Sequence, residues 1–135
     1  MKYFTLKEML ATSIKIKNFP GTWEEIENLI LLTSYLDKVR MKFKKPIRVN
    51  SGYRTKGLNV AVGGVYNSDH IKGLAADIVA WSGKESDNRE LLEVIKELGG
   101  FDQLISYHKK KGLESSPIRF IHVGLNGKRE IILKM

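Results

Sequence analysis

The stretch Asn67-Ser68-Asp69-His70-Ile71-Lys72-Gly73-Leu74-Ala75-Ala76-Asp77-Ile78-Val79-Ala80-Trp81 passes from a polar loop directly into an apolar segment. Leu74 to Trp81 reads as a β-strand, in which alternate residues share a face. Asp77 then shares its face with Ala75 and Val79, and its immediate neighbours are apolar as well. A buried carboxylate without a partner is very costly, so something positive must meet it. His122 poses the same question in Phe120-Ile121-His122-Val123. Taken singly, each reads as a satisfied core group, an Asp–Arg pair or a His–carbonyl hydrogen bond. His70 changes the balance. It stands at the mouth of the strand that carries Asp77, and a turn at Gly73 lets both side chains point at one spot. Two histidines and one carboxylate form an open zinc set with a fourth position left for water.

Outward from this stretch, the chain alternates capping signals with periodic segments. Thr5 with Glu8 reads as a capping box for a short first helix. Thr22 with Glu25 repeats it, and Ile26, Leu29, Ile30, Thr33, Leu36 and Val39 follow at helical spacing, which predicts a helix from Trp23 to about Lys42. Ile47 to Asn50 reads as a short strand after Pro46. Residues 51–69 are rich in Gly, Asn and Ser and read as one long loop of the functional kind. Asp87 with Glu90 is expected to cap a third helix that stops at Gly99-Gly100. Phe101 to Tyr107, Phe120 to Val123 and Glu130 to Leu133 are further strand candidates. Helices early and strands late predict an α+β fold with a small, largely antiparallel sheet flanked by helices. No repeat, low-complexity tract or linker interrupts residues 1–135, so a single domain is expected.

Composition narrows the chemistry. The chain has 135 residues, 23 Lys+Arg against 15 Asp+Glu for a net charge of +8, three histidines and no cysteine. Without cysteine there is no disulfide scaffold, thiolate metal site or cysteine nucleophile, so any metal rests on nitrogen and oxygen. Lys7 and Glu8 interrupt the N-terminus where a signal peptide needs an apolar run, and no segment approaches the ~18 apolar residues of a membrane span. Synthesis in the cytoplasm without a signal peptide and action as a monomer are the expectations. The basic stretches Lys38 to Arg48 and Lys109 to Lys111 suit a polyanionic neighbour but lack the interleaved aromatics of a nucleic-acid surface.

Ser68-x-His70-x-x-Gly73-x-Ala75-x-Asp77 is a whole motif, and it resembles that of the zinc D-Ala-D-Ala carboxypeptidases and related peptidoglycan peptidases, family fifteen of the metallopeptidases. These share a fold with the lysostaphin-type enzymes and the hedgehog signalling domain. Pro46-Ile47-Arg48-Val49-Asn50-Ser51-Gly52-Tyr53-Arg54, Leu58-Asn59 with Gly63-Gly64, Phe101-Asp102-Gln103-Leu104-Ile105 and Phe120-Ile121-His122-Val123 resemble further family segments, in order, across roughly residues 4 to 134. The resemblance implies zinc held by His70, Asp77 and His122. It implies that Arg54 binds the substrate carboxylate or the polarised carbonyl oxygen, and that Ser68 and the backbone near Gly64 line the groove. Peptidoglycan stem peptide is the implied substrate.

The family's general base is not at any of its usual places. Those positions hold Arg119, Tyr107 and Phe120 here. Glu114, in the loop Lys111 to Pro117, is a candidate that would have to swing over the metal; otherwise it is a solvated loop carboxylate. Tyr107 is a candidate for substrate contact, and Tyr107 or the nearby His108 for a slower proton transfer. His108, before three lysines, reads as part of an exposed turn, and Asp102 as a structural carboxylate that orients a ligand histidine. Three readings stand: a zinc peptidase of carboxypeptidase or endopeptidase type, a zinc-containing wall-binding module with little catalysis, and, last, a basic nucleic-acid-binding domain. Small size, basic charge and the lack of cysteine also resemble phage lysis enzymes, which suggests a phage or prophage origin.

Overall fold

The computed structural model describes residues 3–135. Helix α1 (Leu6–Leu10) begins at the expected capping box, with Thr5 Oγ1 accepting from the Glu8 amide. Helix α2 (Trp23–Phe43) begins at Thr22 in the same way and ends at Lys44, which takes a left-handed conformation. It buries Leu29, Leu32, Leu36, Val39 and Phe43, whereas Ile30 is exposed.

The supposed loop 51–69 differs from expectation. Strand β1 (Ile47–Ser51) reaches Ser51, and helices α3 (Lys56–Ala61) and α4 (Asp69–Lys72) follow. Both are very short, and neither offers an apolar periodicity to read. Each is instead started by a hydroxyl cap, Thr55 accepting from the Leu58 amide and Ser68 from the His70 amide. Helix α5 (Glu85–Leu98) also starts earlier than Asp87 suggests. Its N-cap is Lys84, with no side-chain cap. Asp87 lies inside the first turn and binds Ser82 and Lys45 instead.

Strands β2 (Ala75–Ala80), β3 (Gln103–His108), β4 (Ile118–Gly124) and β5 (Ile131–Lys134) complete a five-stranded sheet in the order β1-β2-β4-β3-β5. All neighbours are antiparallel except β3 and β5, which run parallel. The fold is therefore α+β with a mixed, largely antiparallel sheet flanked by helices. Ala76, Ile78, Leu104, Ile121 and Val123 point to one face and join α2 and α5 in a continuous buried cluster. The alternate residues point the other way. The register sets Asp77 opposite His122 and His122 opposite Ile105. Directly opposed residues hold their side chains within contact distance, so two strands deliver two of the three members of the polar trio before any loop is considered. On β1, an irregularity between Val49 and Ser51 sets Ser51 beside Asp77.

Candidate metal centre and cleft

Asp77 and His122 meet on the sheet: the imidazole Nδ1–H of His122 donates to Asp77 Oδ1 at 2.8 Å. His70 comes from α4, and its position is fixed by the turn after β1. Its Nδ1–H donates to the Gly52 carbonyl at 2.7 Å, while the Arg54 amide donates to the His70 carbonyl at 3.0 Å. The first bond places the His70 proton on Nδ1 and leaves the Nε2 lone pair directed at Asp77 Oδ1, 3.4 Å away. Gly52 must be glycine, because a Cβ there would lie 2.5 Å from the Met9 carbonyl oxygen. Sequence, turn and ligand orientation are thus one causal chain.

Ligand atoms from His70, Asp77 and His122 lie within 4.8 Å of one another. A free imidazole lone pair, a second imidazole and a carboxylate suit a divalent cation of zinc's chemistry. The carbonyl behind His70 is the outer partner that such ligands usually have. Burial pulls the Asp77 carboxyl upward, but the hydrogen bond from His122 Nδ1–H and the polar surroundings made by the two imidazoles outweigh it and hold the carboxyl well below the ordinary carboxylate range. It is ionised, as a carboxylate that holds a metal has to be. The ring centroids of His70 and His122 are 5.1 Å apart, edge to face.

Around the trio opens a cleft of about 720 Å³. Arg54 enters from the turn and is held on three sides. It donates to Ser51 Oγ at 3.1 Å, Asn59 Oδ1 at 3.2 Å and Asp77 Oδ2 at 3.5 Å. A planar guanidinium fixed in this way offers its remaining N–H groups to an oxyanion. Asn59 is in turn pinned to the Val65 carbonyl at 2.7 Å. Gly64 lies so close to Asn59 that a Cβ would sit 2.1 Å from its Oδ1. Asn59 carries the family-like pair Leu58-Asn59, yet its role as the Arg54 support is visible only in three dimensions. Ser68, cap of α4, lines the cleft, as does Tyr107. The Tyr107 ring stacks on Phe120 at 4.5 Å. Burial, and then the Asp77 charge, push its phenol above its ordinary pKa, so it keeps its proton at neutral pH.

Other expected participants lie elsewhere. Glu114 is ion-paired with Lys134 at 3.3 Å and lines a separate cavity with Arg89 and Lys96. His108 is not on an exposed turn. It is buried, with Nδ1 bonded to the Ser116 carbonyl at 2.7 Å and Nε2 to Ser106 Oγ at 2.8 Å. Asp102 is buried too, but its carboxylate holds Arg129 rather than a histidine. Arg119 is exposed and leans on the Phe120 ring. Asp69, Asn126 and Arg129 line the cleft without having been singled out in the sequence; Asp69 shares no strand periodicity with Asp77, and the other two lie on a loop.

Residues 2–114 match the Peptidase M15 family. The chain belongs to that family. The matched segment contains Arg54, His70 and Asp77 and ends before His122, so the third member of the trio is supplied by the register of β2 and β4 rather than by the match. Among solved structures, the chain is similar to the crystal structure of the Serratia marcescens L-Ala D-Glu endopeptidase ChiX, at 17% identity over 85% of this chain and 96% of that one, with a TM-score of 0.46. No curated protein matches the chain. Among the described residues, no helix is long and apolar enough to cross a membrane.

Proposed function

We propose that this family member is a zinc-dependent peptidase that hydrolyses amide bonds in peptidoglycan stem peptides. The observation that carries the reading is the convergence of His70, Asp77 and His122 within 4.8 Å at the floor of an open cleft, with the His70 lone pair freed by the Gly52 carbonyl. When bound by these three side chains, zinc supplies Lewis acidity toward a carbonyl and acidifies a water.

The protein's own groups perform the rest. Arg54, locked by Ser51, Asn59 and Asp77, binds the substrate carboxylate or the scissile carbonyl oxygen. Ser68 lines the path of the peptide beside it. Tyr107 holds a proton at neutral pH and stands in the cleft, so it would pass that proton to the departing nitrogen and regain one from solvent, which also takes the proton lost by the water. Glu114 would need the 109–117 loop to leave Lys134 before it could take part. The chain is proposed to work as a single-domain monomer, in a phage or prophage setting.

A second reading, a zinc-containing wall-binding module with little catalysis, is favoured by one feature. The usual family positions for a base hold Arg119, Tyr107 and Phe120, and none of them is a carboxylate. Mass spectrometry of purified peptidoglycan after incubation with zinc-loaded protein separates the two readings. Release of D-Ala or cleaved stem peptides, absent with His122→Ala, is expected for the peptidase. One zinc per chain with no new product would establish the binding module instead.

A further inference from the structure

Asp102 and Arg129 form a second charged device at the cleft, and the mechanism above does not use it. Asp102 Oδ1 accepts from Arg129 Nε at 2.8 Å and Oδ2 from Nη2 at 3.0 Å. The Arg129 amide adds a third bond to Oδ1 at 3.2 Å. The two side chains differ sharply in exposure, 1% for Asp102 and 65% for Arg129. Asp102 is also fixed by its backbone, donating to the Gly124 carbonyl and accepting from the Ile131 amide, both at 2.8 Å. Gly127 closes the corner at φ +124, and a Cβ there would lie 2.8 Å from Asp102 Oδ1.

A guanidinium has five N–H donors arranged as two-pronged edges. Asp102 occupies the Nε/Nη2 edge. The Nη1/Nη2 edge carries no protein acceptor among the described residues, and Arg129 lines the same cleft as the trio. The local carboxylates are otherwise engaged. Asp77 has Arg54 and the two histidines, and Asp69 has Asn126 at 3.1 Å and Lys72 at 3.8 Å. Asp69 also faces Arg129 electrostatically, yet forms no hydrogen bond with it. An arginine immobilised by a buried carboxylate pays little ordering entropy when its second edge binds a planar anion.

We propose that Arg129 binds a free carboxylate of the substrate, away from the bond that is cut, and so makes the enzyme selective for acidic over amidated peptides. This rests on the peptidase reading and deepens it. Arg54 and Arg129 then hold the peptide at two points with the metal ligands between their roles.

The test uses two synthetic stem peptides identical except that one side carboxyl is free or converted to carboxamide. Each is followed by turnover with zinc-loaded protein and by NMR titration of the metal-free protein. Wild type is expected to favour the free acid by at least about tenfold in KM and in binding, the range of a lost charge-assisted fork. Arg129→Gln should erase that preference, with a much larger loss on the free acid than on the amidated peptide. Arg129→Lys should restore only part of it. Because Arg129→Gln strands Asp102, the double variant Asp102→Asn/Arg129→Gln is measured beside it and should show the same loss of preference. Equal treatment of both peptides by wild type, or an equal drop for both in Arg129→Gln, overturns the proposal. Turnover without preference removes the Arg129 site and keeps the peptidase. Preferential binding without turnover keeps the site and removes the peptidase.

Discussion

The sheet carries two buried histidine clusters, one on each face. On the cleft face, His70, Asp77 and His122 meet. On the core face, His108 lies between Ser106 Oγ and the Ser116 carbonyl. Both clusters are hydrogen-bonded and largely buried; the first takes His122 from β4 and the second takes Ser106 and His108 from β3. They differ in what remains unsatisfied. Both ring nitrogens of His108 have protein partners, so that cluster is complete. His70 spends one nitrogen on Gly52 and directs the other at a carboxylate and a second imidazole. A buried polar group that is fully partnered is structure. A set that converges ligand atoms on an open cleft has the makings of a metal site.

The largest effects follow from breaking the cleft cluster. His70→Ala and His122→Ala should each abolish hydrolysis, by more than the ~10–100-fold typical of losing an outer-shell partner. Circular dichroism should stay unchanged. Zinc at a hundred times its Kd should stabilise wild type by about 2.7 kcal/mol through selective binding to the native state. That shift in Tm should vanish with a chelator and be absent in His122→Ala. A zinc-dependent Tm retained in His122→Ala would remove His122 from the ligand set.

Next is Tyr107→Phe, which keeps the stack on Phe120 and removes the proton. If Tyr107 serves the departing nitrogen, kcat should fall by about 10²-fold, the low end for general acid catalysis, with KM little changed. A KM effect alone would make Tyr107 a substrate contact.

The core-face cluster should respond in the opposite currency. His108→Ala strands the Ser106 hydroxyl and the Ser116 carbonyl, at about 1–3 kcal/mol for each orphaned group. Thermal or urea unfolding should report that loss. At a temperature where the variant is folded, kcat/KM and zinc stoichiometry should match wild type. A fall in zinc content would mean that the two faces are coupled.

The contrast also explains what could be read beforehand. The trio was legible because strand alternation left Asp77 and His122 as polar residues in apolar runs, and because His70 stands at a fixed distance before Asp77. The sheet order and the β2–β4 register were not legible, since pairing between distant strands leaves no local pattern. Three lysines follow His108 and suggest an exposed turn, yet the residue is buried. The chain turns back at 109–117 and brings the Ser116 carbonyl over the ring, a contact between positions eight residues apart. Helices α3 and α4 escaped notice because they are too short for periodicity, although Thr55 and Ser68 announce them. Asp102 was foreseen as a supporting carboxylate, but the partner it supports is Arg129, whose loop position carries no signal.

Glu114 supplies the smallest effect and the closest check on the division between the faces. Its carboxylate lies beside Lys134, and the same loop is tied down by Arg89, which donates to the Glu114 carbonyl at 2.6 Å and to the Ser116 carbonyl at 2.9 Å. A hydrogen bond from Lys134 and its charge hold the Glu114 carboxyl below the ordinary range, so it is ionised at neutral pH, but a base must also stand within reach of the proton it takes. For Glu114 to act, the Arg89 clamp would have to open while β5 stayed in place. Glu114→Gln should therefore leave kcat, KM and zinc content unchanged on stem peptides. A selective fall in kcat would show that the 109–117 loop swings across to the cleft during turnover. In that case Arg89→Ala, by releasing the loop, should raise kcat rather than lower it.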